Sequence, residues 1–223
     1  TDRKSECFQN AYRAVAAAEK VRDIVYSLTL PCVDVAKLTR FAQGAARKQF
    51  TQKGPERIRL CACFGKHGVE LLPTFSDARQ VYVVSEKQGI SHLLLGAIRT
   101  FARLHGEDVT VSISPTDPVK TNAVYFNGAR TLFVSEDANA DVYAVKAHRI
   151  NMERFIDREQ FAGSRMKRRA LGKLADRLLE TAVDYFSAAA ELHDRIERIY
   201  IRSMDFEALD TFTEVFLNAI FSE

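Results

Sequence analysis

The strongest constraint on the fold is a short β-rich run that leads through a loop into a helix. Residues 80–84 are rich in β-branched and aromatic side chains, which favour a strand. A helical pattern then runs from Ile90 to Leu104 and closes at His105-Gly106, as a glycine C-cap would. Residues 108–112 form the next β-rich run. This order predicts a βαβ unit in a parallel sheet.

Three further segments have the composition of strands, namely residues 57–64, 123–126 and 131–134. Runs that are almost continuously apolar are typical of parallel strands buried on both faces. Residues 57–64 alternate instead, which places Cys61 and Cys63 on one face of a strand. We favour this interpretation over a metal site shared with His67, because the paired C-x-x-C spacing of structural zinc modules is missing.

The first fifty residues carry a helical pattern. Apolar residues recur at spacings of three and four from Ala11 to Leu28, which places them on one helix face. Pro31 is predicted to end this helix, and a second helix is predicted from about Val33 to Phe50. The turn at residues 53–55, Lys-Gly-Pro, then separates this helical part from the strands.

The chain is predicted to be helical again from about Met152 onward. One segment has apolar residues at alternating spacings of three and four, typical of packing between antiparallel helices or of a short coiled coil. These residues are Ala182, Tyr185, Ala189, Leu192, Ile196 and Ile199. A break at residues 203–205 precedes another apolar-periodic helix, from Phe206 to Ile220.

The two helical ends resemble each other when the chain is shifted by 174 residues. The matched pairs are Ala14 with Ala188, Ala16 with Ala190, Val25 with Ile199, Tyr26 with Tyr200, Leu38 with Phe212 and Thr39 with Thr213. A repeat of this length indicates duplicated domains rather than a solenoid. We therefore predict three parts: residues 1–52 as the helical tail of a preceding repeat unit, 56–150 as an α/β core, and 151–223 as a C-terminal helical hairpin.

Four stretches carry a resemblance to a known family: residues 81–92, the strand that ends in Thr116-Asp117-Pro118, residues 130–134 and residues 197–206. Together they resemble bacterial tandem P-loop ATPase-like proteins, in which two copies of a P-loop unit each end in a long helical hairpin. The resemblance spans roughly Phe64 to the C-terminus as one unit. It implies a P-loop NTPase-like α/β fold, with a parallel sheet flanked by helices and long helical hairpins at both ends, and a nucleotide such as ATP with Mg²⁺ as ligand.

The loop that follows the first of these strands departs from a working P-loop. In the pattern G-x-x-x-x-G-K-[ST], backbone amides cradle phosphate, the lysine reaches the β- and γ-phosphates, and the hydroxyl binds Mg²⁺. Here the loop has one glycine, Gly89, and the lysine position falls on or near Ser91. His92 or Leu93 stands at the magnesium position, and Lys87 lies before the helix.

The second chemical motif of the family, Walker B, is altered as well. Val134 stands where the resemblance places a magnesium-supporting aspartate, and Glu136 and Asp137 follow as weak catalytic candidates that need a shifted strand end. Phosphoryl transfer is catalysed almost entirely by positioning and charge stabilisation. We therefore predict that this site does not hydrolyse ATP efficiently.

The candidate ligand-binding residues belong to the loop and to the end of the next strand. They are Lys87, Gln88, Gly89, Ile90, Ser91, His92 and Asp117. For two of these residues an alternative to ligand binding stays open and is favoured. Asp117 would be part of a Ser-Pro-Thr-Asp-Pro turn, and His92 would be a partly exposed residue at the start of a helix.

Composition limits the range of functions. A net charge of +3 from 32 basic and 29 acidic interspersed residues argues against a nucleic-acid partner. The densest basic run is Arg165, Lys167, Arg168, Arg169 and Lys173. It is predicted to be a solvated helix face, because acidic residues lie close by in sequence. The apolar stretches fall short of the roughly 20 residues of a membrane span, and the four cysteines lack a disulfide framework, which favours a cytoplasmic location.

Two functions from different classes follow. The first is a degenerate P-loop NTPase-like protein that binds ATP, another nucleotide or a phosphate ligand, with Mg²⁺, without efficient hydrolysis. The second is a non-enzymatic scaffold without a cofactor, which associates through its helical hairpins with an upstream P-loop unit, a second copy of itself or another protein. Efficient ATP hydrolysis would require another chain to supply the missing groups.

Overall fold

Eight strands and six α-helices are present in the computed structural model, which describes residues 2–85, 89–138 and 147–221. The strands are β1 (Glu56–Ile58), β2 (Ala62–Gly65), β3 (Gly68–Leu71), β4 (Gln80–Ser85), β5 (Val109–Ile113), β6 (Thr121–Phe126), β7 (Thr131–Ser135) and β8 (Ala147–Asn151). The helices are α1 (Asp2–Thr29), α2 (Val35–Arg47), α3 (Ser91–Leu104), α4 (Arg158–Ala162), α5 (Arg165–Ser203) and α6 (Phe206–Phe221).

The main sheet has six strands in the order β1-β5-β6-β7-β4-β8 and is mostly parallel. The α/β class with a sheet flanked by helices is therefore confirmed. Only β6 runs antiparallel to its neighbours among these strands, which corrects the expectation of an all-parallel sheet. Strands β4 and β5 do run in the same direction, but β6 and β7 lie between them, so α3 connects strands that are not neighbours.

Residues 57–64 do not form the single strand that their alternation predicts. β1 ends at Ile58, and β2 begins at Ala62 and pairs only with β3 in a separate hairpin. Polar side chains hold the intervening turn: the Cys61 amide donates to Ser112 Oγ at 3.0 Å, and Thr74 Oγ1 donates to the Leu60 carbonyl. Cys61 is therefore buried outside a strand.

Local signals explain where the helices begin and end. Pro31 lies in the short 3₁₀ turn that follows α1, and the Asp34 carboxylate caps α2 by accepting from the Lys37 amide at 2.8 Å. Helix α3 ends at Leu104 and is followed by Gly106, whose φ of 64° lies in the left-handed region. The Glu107 amide then donates to the Ala102 carbonyl at 3.1 Å, which completes a Schellman motif.

The sheet is buried on both faces. Helix α3 covers one face, and α2 packs against α3. The fully buried α3 residues Leu94, Leu95 and Ile98 meet alternate residues of the strands. The strand residues that alternate with these point to the opposite side of the sheet. Val81, Val83 and Leu132 are examples, and they face Phe75 and Cys61. Burying each large apolar side chain contributes about 1.5–3 kcal/mol, so the alternation fixes which face each helix covers.

The helical ends pack differently from the expected hairpins. Helix α1 lies antiparallel against α5, with Phe8 and Tyr12 both edge-on to the Phe186 ring, whereas α2 packs against α3. Helix α6 is exposed along its length and, within the described chain, contains no buried residue. The three-part division of the chain stays a prediction. None of the described helices is both long and apolar enough to cross a bilayer.

Candidate functional site

A cavity of about 480 Å³ lies at the edge of the sheet where β4, β5 and β7 end. Because these strands run in the same direction, the loops that follow them meet at this edge, which is where open α/β sheets bind ligands. Helices α1 and α5 form the opposite wall. The polar and charged lining residues are Glu19, Arg22, Ser91, His92, Ser114, Thr116, Lys120, Thr121, Asn122, Ser135, Asp137 and Asp176.

Part of the predicted loop reaches this cavity. Gly89, Ser91 and His92 line it, and the φ of 70° at Gly89 turns the chain into the first turn of α3. Ile90 points the other way and is fully buried in the core between α3 and the sheet. Lys87 and Gln88 lie outside the described residues.

The two carboxylates that follow β7 have different surroundings. Asp137 lines the cavity. Burial raises the pKa of this carboxyl group, although the nearby positive charge of Arg22 acts in the opposite direction. Glu136 instead lies toward β8: it accepts from Ser85 Oγ at 3.2 Å and is 3.5 Å from Arg149. Val134 is fully buried within the sheet. Asp137 is therefore the acidic residue of this pair that a ligand in the cavity would meet.

An ion-pair cluster joins the wall formed by α1 to the loop between β5 and β6. Lys120 Nζ lies 3.0 Å from Glu19 Oε2, 2.8 Å from Asp117 Oδ2 and 3.3 Å from Asp23 Oδ1. Thr116 Oγ1 donates to Glu19 Oε1 at 2.7 Å. Asp117 thus contributes through Lys120 and does not line the cavity itself. The interpretation of its segment as a turn agrees with the bond from the Val119 amide to Asp117 Oδ1.

The cluster shifts the pKa values of its members in the directions expected for ion pairs. Burial alone would lower the pKa of Lys120, but its hydrogen bonds to Asp117 and Glu19 outweigh that effect and raise it. Burial would likewise raise the pKa of Glu19, but hydrogen bonds from Thr116 and Lys120 and the charge of Arg22 lower it. The pKa of Asp117 is lowered in the same way, mainly by its bond to Lys120. All three groups are therefore charged near neutral pH.

His92 does not add a positive charge to the cavity. Burial and the nearby charge of Lys120 lower the pKa of His92, so the ring is neutral at pH 7. Its ring centroid lies 5.1 Å from that of Tyr26 on α1. The histidine thus serves as a contact between α3 and α1 and stays partly exposed, as its favoured interpretation predicts.

The charges around the cavity do not favour a polyanion. Both cations among its described lining residues are paired with a carboxylate: Lys120 with Glu19 and Asp117, and Arg22 with Glu19 at 2.9 Å. Asp176 adds a further carboxyl group to the wall formed by α5. A phosphate here would have to displace existing ion pairs. Among the described residues, no group of three or more His, Cys, Asp or Glu side chains could hold a metal ion.

Sequence reasoning missed Glu19, Arg22 and Lys120, because ordinary charged residues on a helix and in a turn carry no motif. The only signal was the position of Lys120 just before β6, close to Asp117. The residues of the predicted basic run differ in burial. Arg168 is buried and bonds to Ser164 Oγ and the Phe161 carbonyl, and the run's other members are exposed.

Comparison with known proteins adds no assignment. No protein-family model, curated protein or solved structure matches this chain.

Proposed function

We propose that this protein is a non-hydrolytic α/β module of P-loop-like build that acts by binding another protein through its C-terminal helical segment. The observation that carries this proposal is the exposed apolar surface on residues 199–221, here called the terminal surface. Its large side chains are between 42% and 78% exposed. They are Ile199, Tyr200, Ile201, Met204, Phe206, Leu209, Phe212, Val215, Phe216, Leu217, Ile220 and Phe221.

The size of the terminal surface supports an interaction role. An aromatic side chain presents about 150–250 Å² when fully exposed, so twelve large residues at these exposures present on the order of 1,000 Å² of surface. Monomeric proteins rarely leave a contiguous apolar patch above about 300–600 Å². A stable protein–protein interface buries about 800 Å² on each partner. The terminal surface is large enough to form one side of such an interface.

The residues at the strand ends support the absence of hydrolysis. Val134, which stands at the position that the resemblance assigns to the Walker B aspartate, is buried, and the cavity holds a neutral His92 and a lysine already bound by carboxylates. Strand β4 is followed by Gly89 and α3, an order that a P-loop unit shares with other α/β proteins, and together with the resemblance it supports the P-loop-like build that we propose. A P-loop-like fold that lacks its catalytic groups is consistent with a role in binding another protein.

Two measurements test the proposal together. Pull-down of co-purifying proteins, with light scattering of the resulting complexes, should show association that Phe212→Asp with Phe216→Asp abolishes and that Asn218→Asp, on the opposite side of α6, leaves intact. Phosphate release from Mg²⁺-ATP should stay at background. A monomeric chain that captures nothing would contradict the proposal. So would ATP turnover that Lys87→Ala or Glu136→Gln abolishes.

A second function, binding of a nucleotide or phosphate ligand without hydrolysis, has one observation in its favour. The N-terminus of the 14-residue helix α3 meets a cavity large enough for a ligand, next to a glycine with positive φ, and helix N-termini attract anions. Isothermal titration with ATP, GTP and their diphosphates, with and without Mg²⁺, tests it. Ser91→Glu should abolish binding and Thr100→Glu, exposed on the same helix, should not. No heat at millimolar ligand would exclude it.

A further inference from the structure

The end of α5 and helix α6 repeat the design of α1 and α2 in structure as well as in sequence. Helix α1 ends at Thr29 and α5 ends at Ser203, which are the same position at the 174-residue offset. Helix α2, Val35–Arg47, corresponds to residues 209–221, all of which lie within α6. Each pair is thus one helix, a short break and a second, amphipathic helix. The first pair shows what such a helix covers.

Helix α2 covers α3 with a short apolar face. Leu38, Ala42 and Ala46 are buried in the core that contains α3, and Phe41 and Ala45 pack against the same core. Their spacing of three and four places all five on one side of α2. Phe50, just beyond α2, stacks on Phe101 of α3 with ring centroids 5.6 Å apart. In this chain, α2 is therefore the amphipathic helix that covers α3.

The same five positions of α6 are all apolar. At the 174-residue offset, Leu38, Phe41, Ala42, Ala45 and Ala46 correspond to Phe212, Val215, Phe216, Ala219 and Ile220. Within the described chain these residues have no core to cover, and the four large ones are exposed. An apolar face at matching positions, buried in the first helix pair and exposed in the second, indicates a docking face.

Charge argues against pairing between two copies of α6. Residues 203–221 contain Asp205, Glu207, Asp210 and Glu214 and neither lysine nor arginine. Two such helices side by side would bring like charges together. Helix α3, in contrast, carries Arg99 and Arg103 and neither aspartate nor glutamate. The acidic rim of α6 fits a partner whose apolar helix face is bordered by basic residues.

We infer that α6 covers the α3-type helix of a second α/β unit of the same build as the core of this chain, in the way that α2 covers α3 within it. This inference rests on the proposed function and names the class of partner for the terminal surface. The second unit presents an apolar helix that follows a central strand. The end of α5 positions α6 over that helix, as α1 precedes α2 in the first pair.

The experiment uses two full-length chains. The receiver carries Leu38→Asp with Ala42→Asp, which releases α2 from α3, together with Phe212→Asp and Phe216→Asp, which prevent its own α6 from docking. Circular dichroism checks that it remains folded. The donor is the unchanged chain. We expect a 1:1 complex by light scattering after gel filtration. Phe212→Asp with Phe216→Asp in the donor should weaken the complex by about tenfold or more, and Asn218→Asp should change it by less than about twofold.

If the charged receiver fails to fold, Leu38→Ala replaces it, because this change loosens the same contact without adding a charge. A folded receiver that stays monomeric beside the donor overturns the inference. Dimerisation of the donor alone, abolished by the two donor substitutions, overturns it too, since it shows α6 pairing with α6. Binding of α6 to a protein of another build refutes only this inference, whereas loss of all α6-dependent association refutes the proposed function as well.

Discussion

Replacing Lys120 with methionine tests whether the ion-pair cluster holds α1 against the sheet. Lys120 Nζ contacts Asp117 at 2.8 Å, Glu19 at 3.0 Å and Asp23 at 3.3 Å, and its side chain is only 20% exposed. Methionine keeps much of the aliphatic volume and removes the charge. Glu19, which is buried, would then keep Arg22 and Thr116 as its partners.

The exposed fractions of these side chains limit the loss of stability that we expect from Lys120→Met. Removing one member of a buried ion pair costs about 3–5 kcal/mol. The cost here should be smaller, because Arg22 still neutralises Glu19 in part, and Asp23 is 60% exposed and adds little. We expect the free energy of unfolding to fall by about 2–3 kcal/mol at pH 7.

The pKa shifts determine how this loss depends on pH. Glu19 and Asp117 have lowered pKa values in the folded state, so they stabilise the fold above their ordinary values of 4.5 and 3.8 and lose that contribution as pH falls further. Lys120 has a raised pKa, so its contribution is complete below 10.5 and is lost only at more alkaline pH. The difference between wild type and Lys120→Met should thus be constant from about pH 5 to 10 and shrink below about pH 4.

Urea unfolding followed by circular dichroism at pH 7 and at pH 3.5 measures both effects. Lys20→Met, an exposed site on α1, is the matched control and should change stability by less than about 0.5 kcal/mol. A double-mutant cycle with Glu19→Gln should give a coupling energy of about 1–3 kcal/mol. An equal loss at both pH values, or a coupling near zero, would show that the cluster does not stabilise the contact.

Four further substitutions test the packing by urea or thermal unfolding. Gly128→Ala should destabilise by about 1–3 kcal/mol, because the added Cβ would lie 2.9 Å from Gln52 Cβ. Gly44→Ala has open space and should stabilise α2 by about 0.5–1 kcal/mol; a loss of stability would refute this. Phe133→Ala, in the core of the sheet, should cost about 3–5 kcal/mol. Phe216→Asp should change the melting temperature of the isolated chain little, since this side chain is exposed, and a large decrease would show that α6 packs on its own chain.

Much of the fold is predictable because local composition and burial agree. The β-branched runs became β4, β5, β6 and β7, and Gly106 ended α3 where expected. Strand β8 gave no signal, since three of its five residues are polar and four are exposed at the edge of the sheet. The antiparallel direction of β6 follows from a short hairpin into β7 that composition alone does not specify.

Only those residues of the candidate site that come directly after a strand are predictable from the sequence. Gly89, Ser91, His92 and Asp137 meet because β4 and β7 are parallel neighbours, and their loops leave the same edge of the sheet. Glu19 reaches that edge through packing of α1 on α5. No local pattern records a contact between residues about one hundred positions apart.

The pairing of α1 with α5 also constrains how the protein is made. The buried residues Ala18 on α1 and Ala189 on α5 are separated by roughly 170 residues, which a ribosome adds in about 10–35 s at 5–20 residues per second. Helix α1 therefore leaves the ribosome long before its partner exists. Until α5 is made, the apolar face of α1 is exposed to solvent or bound by a chaperone. Release of an incomplete chain, or slow translation, should therefore lead to aggregation through α1.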